Sequence, residues 1–339
     1  MANNKINKSD LARQILLENP TIKTNRTLAK LLYTKYNGIF KDIEDARYYI
    51  RTVQGSSGKA QLRRTEKTVG SFKERLEAAR KAYPAEASDH FNVEPYVFAK
   101  ASKKALIISD IHIGHQNNDA IDMALEEGDK FGIDSIIING DLMDFPRQGK
   151  WLVKPSSLSV QEELDEAEKF LNMLRMVFPK QNIVYHLGNH DARWDNYVIR
   201  NAAELFGLGF MQLPEVLKLR EKMIEYVPHT HWMEYGNLMV AHGHHIVKGI
   251  FAPVSPARGV QMKTFQSTII GHLHKSSEHL WANMQGKQYG TWSTGCLCDL
   301  KPEYNPQVGQ CNLGFALVEK DASGDFEVYN KKIIKGKVR

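Results

Sequence analysis

The chain has 339 residues, of which 42% are apolar and 25% are charged, so it can bury a core and lacks the composition of a disordered protein. It carries 45 basic and 39 acidic residues, a formal net charge of +6. Residues 1–82 hold 18 basic and 8 acidic residues, a net charge of +10, which leaves −4 for the remainder. This division predicts a basic module that binds a polyanion and is attached to a near-neutral or acidic remainder of the chain. The alternative is a solvated, lysine-rich helical face.

Membrane proteins and disulfide-rich secreted proteins are excluded by the sequence. No stretch approaches the ~20 apolar residues of a membrane span, and the first residues lack the apolar core of a secretory signal. Three cysteines, Cys296, Cys298 and Cys311, are too few for a disulfide framework, so we expect reduced structural thiols. We therefore expect a soluble, cytoplasmic protein that does not bind membranes.

Residues 1–60 are predicted to form a small basic helical domain. Three short runs with helical spacing of apolar residues follow Ser9, Asn25 and Asp42, residue types that can cap helices. A compact three-helix unit of this length has the size of a helix-turn-helix domain. Such units bind nucleic acid or dock proteins, and the sequence leaves both partners open.

Four residues are candidate nucleic-acid contacts. Arg47, Tyr48 and Arg51 are predicted to project from the third helix, and their side chains are of the types that contact phosphates and base edges. Lys59 ends a Gly-Ser-Ser-Gly-Lys segment that is predicted to be either a hinge or a loop whose backbone amides contact a phosphate. This segment does not match a nucleotide-binding loop, because its glycine spacing is too short and Ala60 replaces the metal-binding Ser or Thr.

Residues 61–95 are predicted to be a charged helix followed by a linker, and residues 96–339 an α/β domain. In this last part, short apolar runs typical of buried strands alternate with amphipathic helices, and the final third predicts a second sheet. The first five strand-like runs are Ala105–Ser109, Ser135–Asn139, Ile183–Leu187, Leu238–Ala241 and Ser267–Ile270.

Each of these five runs ends in a polar cluster that is compatible with metal binding. Because ligands gather where strands of an α/β sheet end, five segments that end in the same way predict one shared site. In chain order the clusters are Asp110-Ile111-His112, Gly140-Asp141-Leu142-Met143-Asp144, Gly188-Asn189-His190-Asp191, His242-Gly243-His244 and Gly271-His272-Leu273-His274.

The spacing within the clusters has a chemical reason. In Asp110-x-His112 the side chains are two residues apart on an extended segment, so both can face one ion, and His272-x-His274 repeats this geometry. A carboxylate such as Asp141 can bridge two ions about 3.5–4 Å apart. Oxygen and nitrogen ligands without thiolate suit manganese, iron, zinc or nickel, and we expect two divalent ions, manganese first.

The five motifs, intact and in this order, resemble those of the calcineurin-like metallophosphoesterases over residues 104–298. The resemblance implies an α/β fold, a four-layer αββα sandwich of two sheets flanked by helices, over residues 96–339. It says nothing about the helix-turn-helix-like domain that precedes the sandwich.

The resemblance also implies roles for individual residues. One metal ion would be held by Asp110, His112, Asp141 and His274, and the other by Asp141, Asn189, His242 and His272. His190 would be the catalytic histidine beside the phosphate, with Asp191 placed to orient it.

Two arginines are candidate substrate contacts. Arg193 lies three residues beyond His190, and its planar guanidinium can hold two phosphate oxygens. Arg147 follows the Gly-Asp-x-x-Asp motif, where it can attract phosphate at the rim of the site. The alternatives are an ordinary surface residue of a helix for Arg193 and of a loop for Arg147.

The sequence predicts a metal-dependent phosphoesterase with a two-metal mechanism, acting as a phosphodiesterase or nuclease on nucleic acid held by the basic segment. A phosphomonoesterase, a protein phosphatase and a cyclic-nucleotide phosphodiesterase are alternatives that the motifs do not separate. A DNA-binding regulator with a retired enzyme domain predicts missing ligands, and none of the motif residues is missing. The oligomeric state is left open.

Overall fold

The structure, a computed structural model, describes residues 7–55, 72–82, 94–150, 153, 157–246, 254–300 and 311–339. The chain divides into two compact units, Met1–Phe91 and Asn92–Arg339, each described by itself. Lys59 and parts of the predicted charged helix and linker lie outside the described residues.

The first unit contains four described helices: α1 (Lys8–Glu18), α2 (Asn25–Lys35), α3 (Ile43–Val53) and α4 (Phe72–Ala82). Helices α1 to α3 pack around one core of buried Ala, Ile, Leu, Phe and Val side chains, whereas all residues of α4 are exposed. Asp42 caps α3 as predicted, by accepting from the N–H of Asp45 at 2.7 Å. The cap of α1 is Asn7 and not Ser9, because the Asn7 side chain accepts from the N–H of Ser9.

The second unit contains helices and strands in alternation. Its helices are α5 (Asn118–Phe131), α6 (Val160–Val177), α7 (Ala192–Phe206), α8 (Leu213–Val216) and α9 (Pro256–Thr264). Its strands are β1 (Tyr96–Val97), β2 (Lys104–Ile108), β3 (Ser135–Asn139), β4 (Asn182–His186), β5 (Ile224–Val227), β6 (Met233–Tyr235), β7 (Leu238–Ala241), β8 (Thr268–Ile270), β9 (Ser277–Ala282), β10 (Gln288–Ser293), β11 (Leu313–Lys320), β12 (Phe326–Ile334) and β13 (Lys337–Val338).

The strands form two sheets. One has the order β13-β12-β11-β2-β3-β4-β5, with β2 to β5 parallel and β11 to β13 antiparallel to their neighbours. The other has the order β1-β6-β7-β8-β10-β9, with β7, β8 and β10 parallel. β3 is a continuous apolar run with every residue buried, as a strand covered on both faces requires.

Three interfaces among the helices and sheets give the unit its four layers. One core lies between the sheets and includes Ile107, Ile137, Val240 and Ile269. A second core lies between the seven-stranded sheet and helices α5 and α6, while α9 packs on the six-stranded sheet through Thr291, whose hydroxyl donates to the carbonyl of Ala257. The predicted αββα sandwich is confirmed. None of the described helices is both long and apolar enough to span a bilayer.

One arginine ties the end of α6 to the two neighbouring loops. The Arg175 guanidinium donates to four backbone carbonyls at 2.8–3.1 Å, and these belong to Phe178, Gln181, Lys222 and Met223. Its position fixes the starts of β4 and β5 relative to the helix that covers them.

We expect Arg175→Lys to lower the free energy of unfolding by about 2 kcal/mol, because one ammonium cannot reproduce the planar fork that serves four carbonyls. Urea unfolding followed by tryptophan fluorescence measures the change. Arg200→Lys on α7, an exposed position, is the matched control and should shift stability by less than about 0.5 kcal/mol. Equal effects of the two substitutions would contradict the structural role of Arg175.

Candidate metal centre

The five motifs meet at one end of the sandwich. Each follows the carboxyl end of a parallel strand, three in the seven-stranded sheet and two in the six-stranded sheet. Asp141, after β3, and His242, after β7, bring the two sheets together here, with 3.1 Å between Oδ2 and Nε2. The candidate site is therefore built from both sheets.

Two motif glycines are required by the close approach of ligand side chains. A Cβ atom on Gly140 would overlap the imidazole of His242, and one on Gly188 would overlap the carboxylate of Asp141. Any other residue at these positions would push a predicted ligand out of the cluster.

Five of the seven predicted metal ligands have a left-handed backbone. Positive φ values are rare for residues other than glycine, and they persist where the surroundings over-determine the conformation, often at functional sites. The five are Asp110 (φ 56°), His112 (49°), Asp141 (53°), His272 (65°) and His274 (54°). The expectation that Asp110-x-His112 and His272-x-His274 are extended is therefore corrected, because both segments lie beyond the ends of their strands and turn sharply.

The predicted ligand atoms converge. Asp110 Oδ1 lies 3.2 Å from Nε2 of His274, and this nitrogen lies 3.2 Å from Nε2 of His112. Donor atoms of Asp110, His112 and Asp141 all lie within 4.8 Å of one another, and so do those of Asp141, His242 and His272. Asp141 thus belongs to both groups, as expected of a bridging ligand.

Several of these atoms are buried without a hydrogen-bond partner among the described residues. They are Asp110 Oδ1, Asn189 Oδ1, His242 Nε2 and His272 Nδ1. Unpaired buried polar atoms are costly, and in native structures they call for a specific explanation. Carboxylate and amide oxygens combined with imidazole nitrogens are a donor set that first-row divalent cations accept, so the residues present fit a pair of such ions.

Outer partners hold the ligand side chains in place. Nδ1–H of His112 donates to Asp144 Oδ1 at 3.0 Å, and Nδ1–H of His242 donates to the carbonyl of Asn139 at 2.8 Å. These bonds leave Nε2 of each ring as the atom that faces the cluster.

The charges of the cluster balance one another. Burial opposes ionisation of Asp110, but the facing His274 and His242 hold its pKa at about 2. Burial likewise lowers the pKa of His242, but the carboxylates of Asp141 and Asp110 raise it to about 9. The buried carboxylates are therefore ionised at neutral pH and attract positive charge.

His190 lies beside this cluster, held at both ring nitrogens. Its Nδ1 is 2.8 Å from Asp144 Oδ1, and its Nε2 is 2.9 Å from Nη2 of Arg193. The second nitrogen of the Arg193 fork, Nη1, donates to the carbonyl of Asp144. The structure thus brings His190 and Arg193 together at the site.

Asp191 has a different position from the one expected. Its carboxylate accepts from the backbone N–H groups of Asp141, Met143 and Gly188 at 2.6–2.9 Å and from the hydroxyl of Tyr185 at 2.6 Å. These four donors occupy both of its oxygens, so Asp191 fixes the backbone of two motif loops. The expectation that Asp191 orients His190 is corrected: Asp144 is the carboxylate bonded to that ring.

Arg147 is exposed and bonded to a neighbouring loop. Its Nε and Nη2 donate to the carbonyls of Leu158 and Ser157 at 3.1 and 2.8 Å. These bonds hold the loop and do not bring the guanidinium to the ligand cluster. A contact between Arg147 and substrate stays a prediction.

The predicted nucleic-acid contacts in the first unit lie on α3. Tyr48 is 62% exposed, and Arg51 is exposed. Arg47 is half-buried and pairs with Glu44, with 3.3 Å between Nη1 and Oε1. Tyr48 and Arg51 are therefore accessible to a partner.

Three functional residues were not predicted from the sequence. Asp144 closes the Gly-Asp-x-x-Asp motif, and its position there was the available signal. Glu163 is an acidic residue at the helical spacing of buried Ala167 in α6, which marks it as unusual. Tyr185 lies within the buried strand β4, and nothing in the sequence distinguishes its hydroxyl.

Comparisons with known proteins agree with this geometry. The family model described as calcineurin-like phosphoesterase matches residues 103–298, more than half of the chain. The Gene 54 protein of Mycobacterium phage D29 is 25% identical over 248 residues, 66% of this chain and 91% of that protein. The Gene 54 protein of Mycobacterium phage L5 is 26% identical over 231 residues, 65% of this chain and 90% of that protein.

Solved structures are also similar to part of the chain. A metallophosphoesterase from Sphaerobacter thermophilus has 18% identity and a TM-score of 0.37, covering 69% of this chain and 88% of its own. The nuclease MPE of Pseudomonas putida has 15% identity and a TM-score of 0.30, covering 69% and 85%.

Glu163 supports the loop that carries Asp144. Its Oε1 accepts from the N–H groups of Asp144 and Phe145 at 2.6 and 2.7 Å. Burial raises the pKa of Glu163 to about 7. The two N–H bonds oppose this rise, and the nearby carboxylates of Asp144 and Asp191 add to it.

We expect Glu163→Gln, which keeps the acceptor oxygen, to become more stable relative to the wild type as pH rises. Between about pH 4.5 and 7 the folded wild type binds the proton more tightly than the unfolded chain, so its stability falls as pH rises, by up to about 3 kcal/mol. The glutamine variant lacks this slope. Urea unfolding of both proteins at pH 5 and pH 8 measures the difference.

Glu163→Ala is the contrasting variant, since it leaves two buried N–H groups without an acceptor. It should lose about 2–5 kcal/mol at pH 5 and less at pH 8, because it too lacks the carboxyl whose ionisation destabilises the wild type at high pH. A constant difference between wild type and Glu163→Gln across this pH range would show that the pKa of Glu163 is not raised in the folded protein.

Proposed function

The chain belongs to the calcineurin-like phosphoesterase family, and on this premise we propose that it hydrolyses phosphodiester bonds of nucleic acid with the help of two divalent metal ions. The observation that carries the proposal is the position of Asp141, whose carboxylate belongs to two groups of converging donor atoms. One ion would be held by Asp110, His112, Asp141 and His274, and the other by Asp141, Asn189, His242 and His272. Manganese is the first ion to test, with iron, zinc and nickel as alternatives.

The ions supply Lewis-acid activation of water and of the phosphoryl group, together with neutralisation of its charge. The chain supplies their positions. Five of the ligands have a left-handed backbone, and the outer nitrogens of His112 and His242 are bonded to Asp144 and Asn139. No reorganisation of these residues is then needed when substrate arrives.

His190 donates a proton to the departing oxygen. Asp144 accepts from Nδ1–H of His190 and orients the ring, so that a proton carried on Nε2 can be delivered to the leaving group. A proton on Nε2 also displaces Nη2 of Arg193, which is bonded to that nitrogen in the structure. The Arg193 guanidinium can then bind phosphoryl oxygens through Nη2. His190 and Arg193 thus act as a pair.

Nucleic acid is the proposed substrate because of the charge division. The first 82 residues carry a net charge of +10, and α3 presents Arg51 and Tyr48 to solvent. Basic side chains bind phosphates without sequence preference, and an exposed aromatic ring can stack on a base. Arg47 and Lys59 are further candidate contacts.

We expect the wild type with Mn²⁺ to hydrolyse bis-p-nitrophenyl phosphate, a diester, faster than p-nitrophenyl phosphate, a monoester. Asp141→Ala should lose bound metal and nearly all turnover, because its carboxylate serves both ions. His190→Ala should keep its metal and lose about 10²- to 10⁴-fold in kcat. Plasma mass spectrometry measures the metal content, and steady-state kinetics measure turnover. An active Asp141→Ala variant overturns the two-metal assignment. A preference for the monoester favours a phosphomonoesterase.

A double substitution tests the nucleic-acid surface in the full chain. Arg47→Ala/Arg51→Ala should raise KM for long single-stranded DNA or RNA by about tenfold and reduce the salt slope of binding by up to ~2, while turnover of bis-p-nitrophenyl phosphate is unchanged. Arg26→Ala/Lys30→Ala removes the same charge from exposed positions of α2 and should have the smaller effect. Equal losses in the two variants would indicate general charge attraction without a binding face on α3.

A further inference from the structure

A buried sulfur lies behind one of the proposed metal ligands. Cys298 is 2% exposed, and its Sγ lies 3.7 Å from Nδ1 of His274, within hydrogen-bond distance for sulfur. The other ring nitrogen of His274, Nε2, lies 3.2 Å from Asp110 Oδ1 and 3.2 Å from Nε2 of His112. One side of the imidazole thus faces the ligand cluster and the other faces the thiol.

The other ligand histidines show what this contact does. His112 and His242 each use Nδ1 to bond an outer acceptor, the carboxylate of Asp144 and the carbonyl of Asn139. Such outer acceptors fix the tautomer and the ring orientation of a metal-binding histidine. Cys298 has the corresponding position at Nδ1 of His274.

The tautomer follows from the side that faces the ions. A cation can be bound only by a nitrogen with a free lone pair, so Nε2 of His274 must be unprotonated and Nδ1 must carry the hydrogen. The sulfur is then the acceptor. We propose that Cys298 is a positioning residue that holds His274 in its metal-binding orientation, an inference that rests on the proposed metal centre.

The backbone around Cys298 holds the sulfur in this place. The N–H of Leu297 donates to the carbonyl of Asp110 at 3.2 Å, and the N–H of Asp299 donates to that of His115 at 2.8 Å. On the other side, the N–H of Cys296 donates to the carbonyl of Asn312, whose own N–H donates to the carbonyl of His274. The segment is therefore bonded directly to the loop that carries Asp110 and His112, and through Asn312 to the loop that carries His274.

Direct ligation by the thiol is the competing role. Donor atoms of His112, His274 and Cys298 lie within 4.8 Å of one another. The sulfur, however, lies on the Nδ1 side of His274, away from the nitrogen that approaches Asp110 and His112. This placement favours the outer role, in which sulfur binds the ring and not the ion.

The test measures metal affinity and does not depend on turnover. The full chain is stripped of metal with a chelator, kept reduced, checked for fold by circular dichroism, and titrated with MnCl₂ by calorimetry. We expect two sites in the wild type and a 10- to 100-fold weaker affinity at one of them in Cys298→Ala. Cys298→Ser, whose hydroxyl can also accept from Nδ1–H, should recover most of the loss.

Leu297→Ala is the matched control, because it removes a larger buried side chain from the same segment without touching the sulfur. It should lower thermal stability and leave both Mn²⁺ affinities within about threefold of the wild type. If Leu297→Ala weakens the same site as much as Cys298→Ala does, the effect is loss of packing and the proposal is overturned.

Cobalt absorption of the wild type needs no variant. An outer thiol predicts a Co²⁺ spectrum without thiolate charge transfer in the near ultraviolet, and the presence of that band overturns the proposal in favour of direct ligation. Two-site binding in the wild type with an equally tight Cys298→Ala overturns this inference alone. A wild type that binds neither Mn²⁺ nor Co²⁺ overturns the proposed function as well.

Discussion

The position of one carboxylate, that of Asp141, constrains both sheets. Its Oδ2 approaches His242, which follows a strand of the six-stranded sheet, while its Oδ1 accepts from the N–H of His190 after β4 of the other sheet. Both contacts form only if the parallel strands of the two sheets end at the same end of the sandwich. The space that Gly188 leaves next to the carboxylate is part of the same requirement. The apolar core between the sheets therefore sets the distance between ligands that are far apart in sequence.

Four buried aspartates, Asp141 among them, lie close together, and each has different partners. Asp110 and Asp141 face the ligand cluster, Asp144 binds two imidazoles, and Asp191 binds loop backbone. Burial, with the charge of Asp141 adding to it, raises the pKa of Asp191 to about 6, so the gathering is costly. An uncompensated buried charge is strongly destabilising. Bound cations offset this cost, which is a physical reason for a centre rich in carboxylates to be a cation site.

Local sequence predicted the parts of the fold that depend on local pattern. The runs at Ser135–Asn139 and Leu238–Ala241 are strands with the predicted bounds, because a buried strand is a short apolar run. β9 was not predicted, since its residues alternate between half-buried and exposed and do not form a continuous apolar run. The place of Asp191 was also beyond sequence reasoning: it lies next to His190 in the chain, but its four donors come from loops that only the folded sheet brings together.

On the proposed function, the division of charge has a consequence for long substrates. A polyanion bound by the basic unit is held in the same molecule as the catalytic residues, which raises the local concentration of phosphodiester bonds at the metal centre. A small diester binds only at the centre and gains nothing from this tether. The net charge of +10 on the first 82 residues would then act on KM for long substrates and not on the chemical step. The carboxylates of the proposed metal centre repel a polyanion, and at physiological salt the attraction exerted by two bound ions is screened over a short distance. Attraction of a long substrate therefore requires a separate source of positive charge.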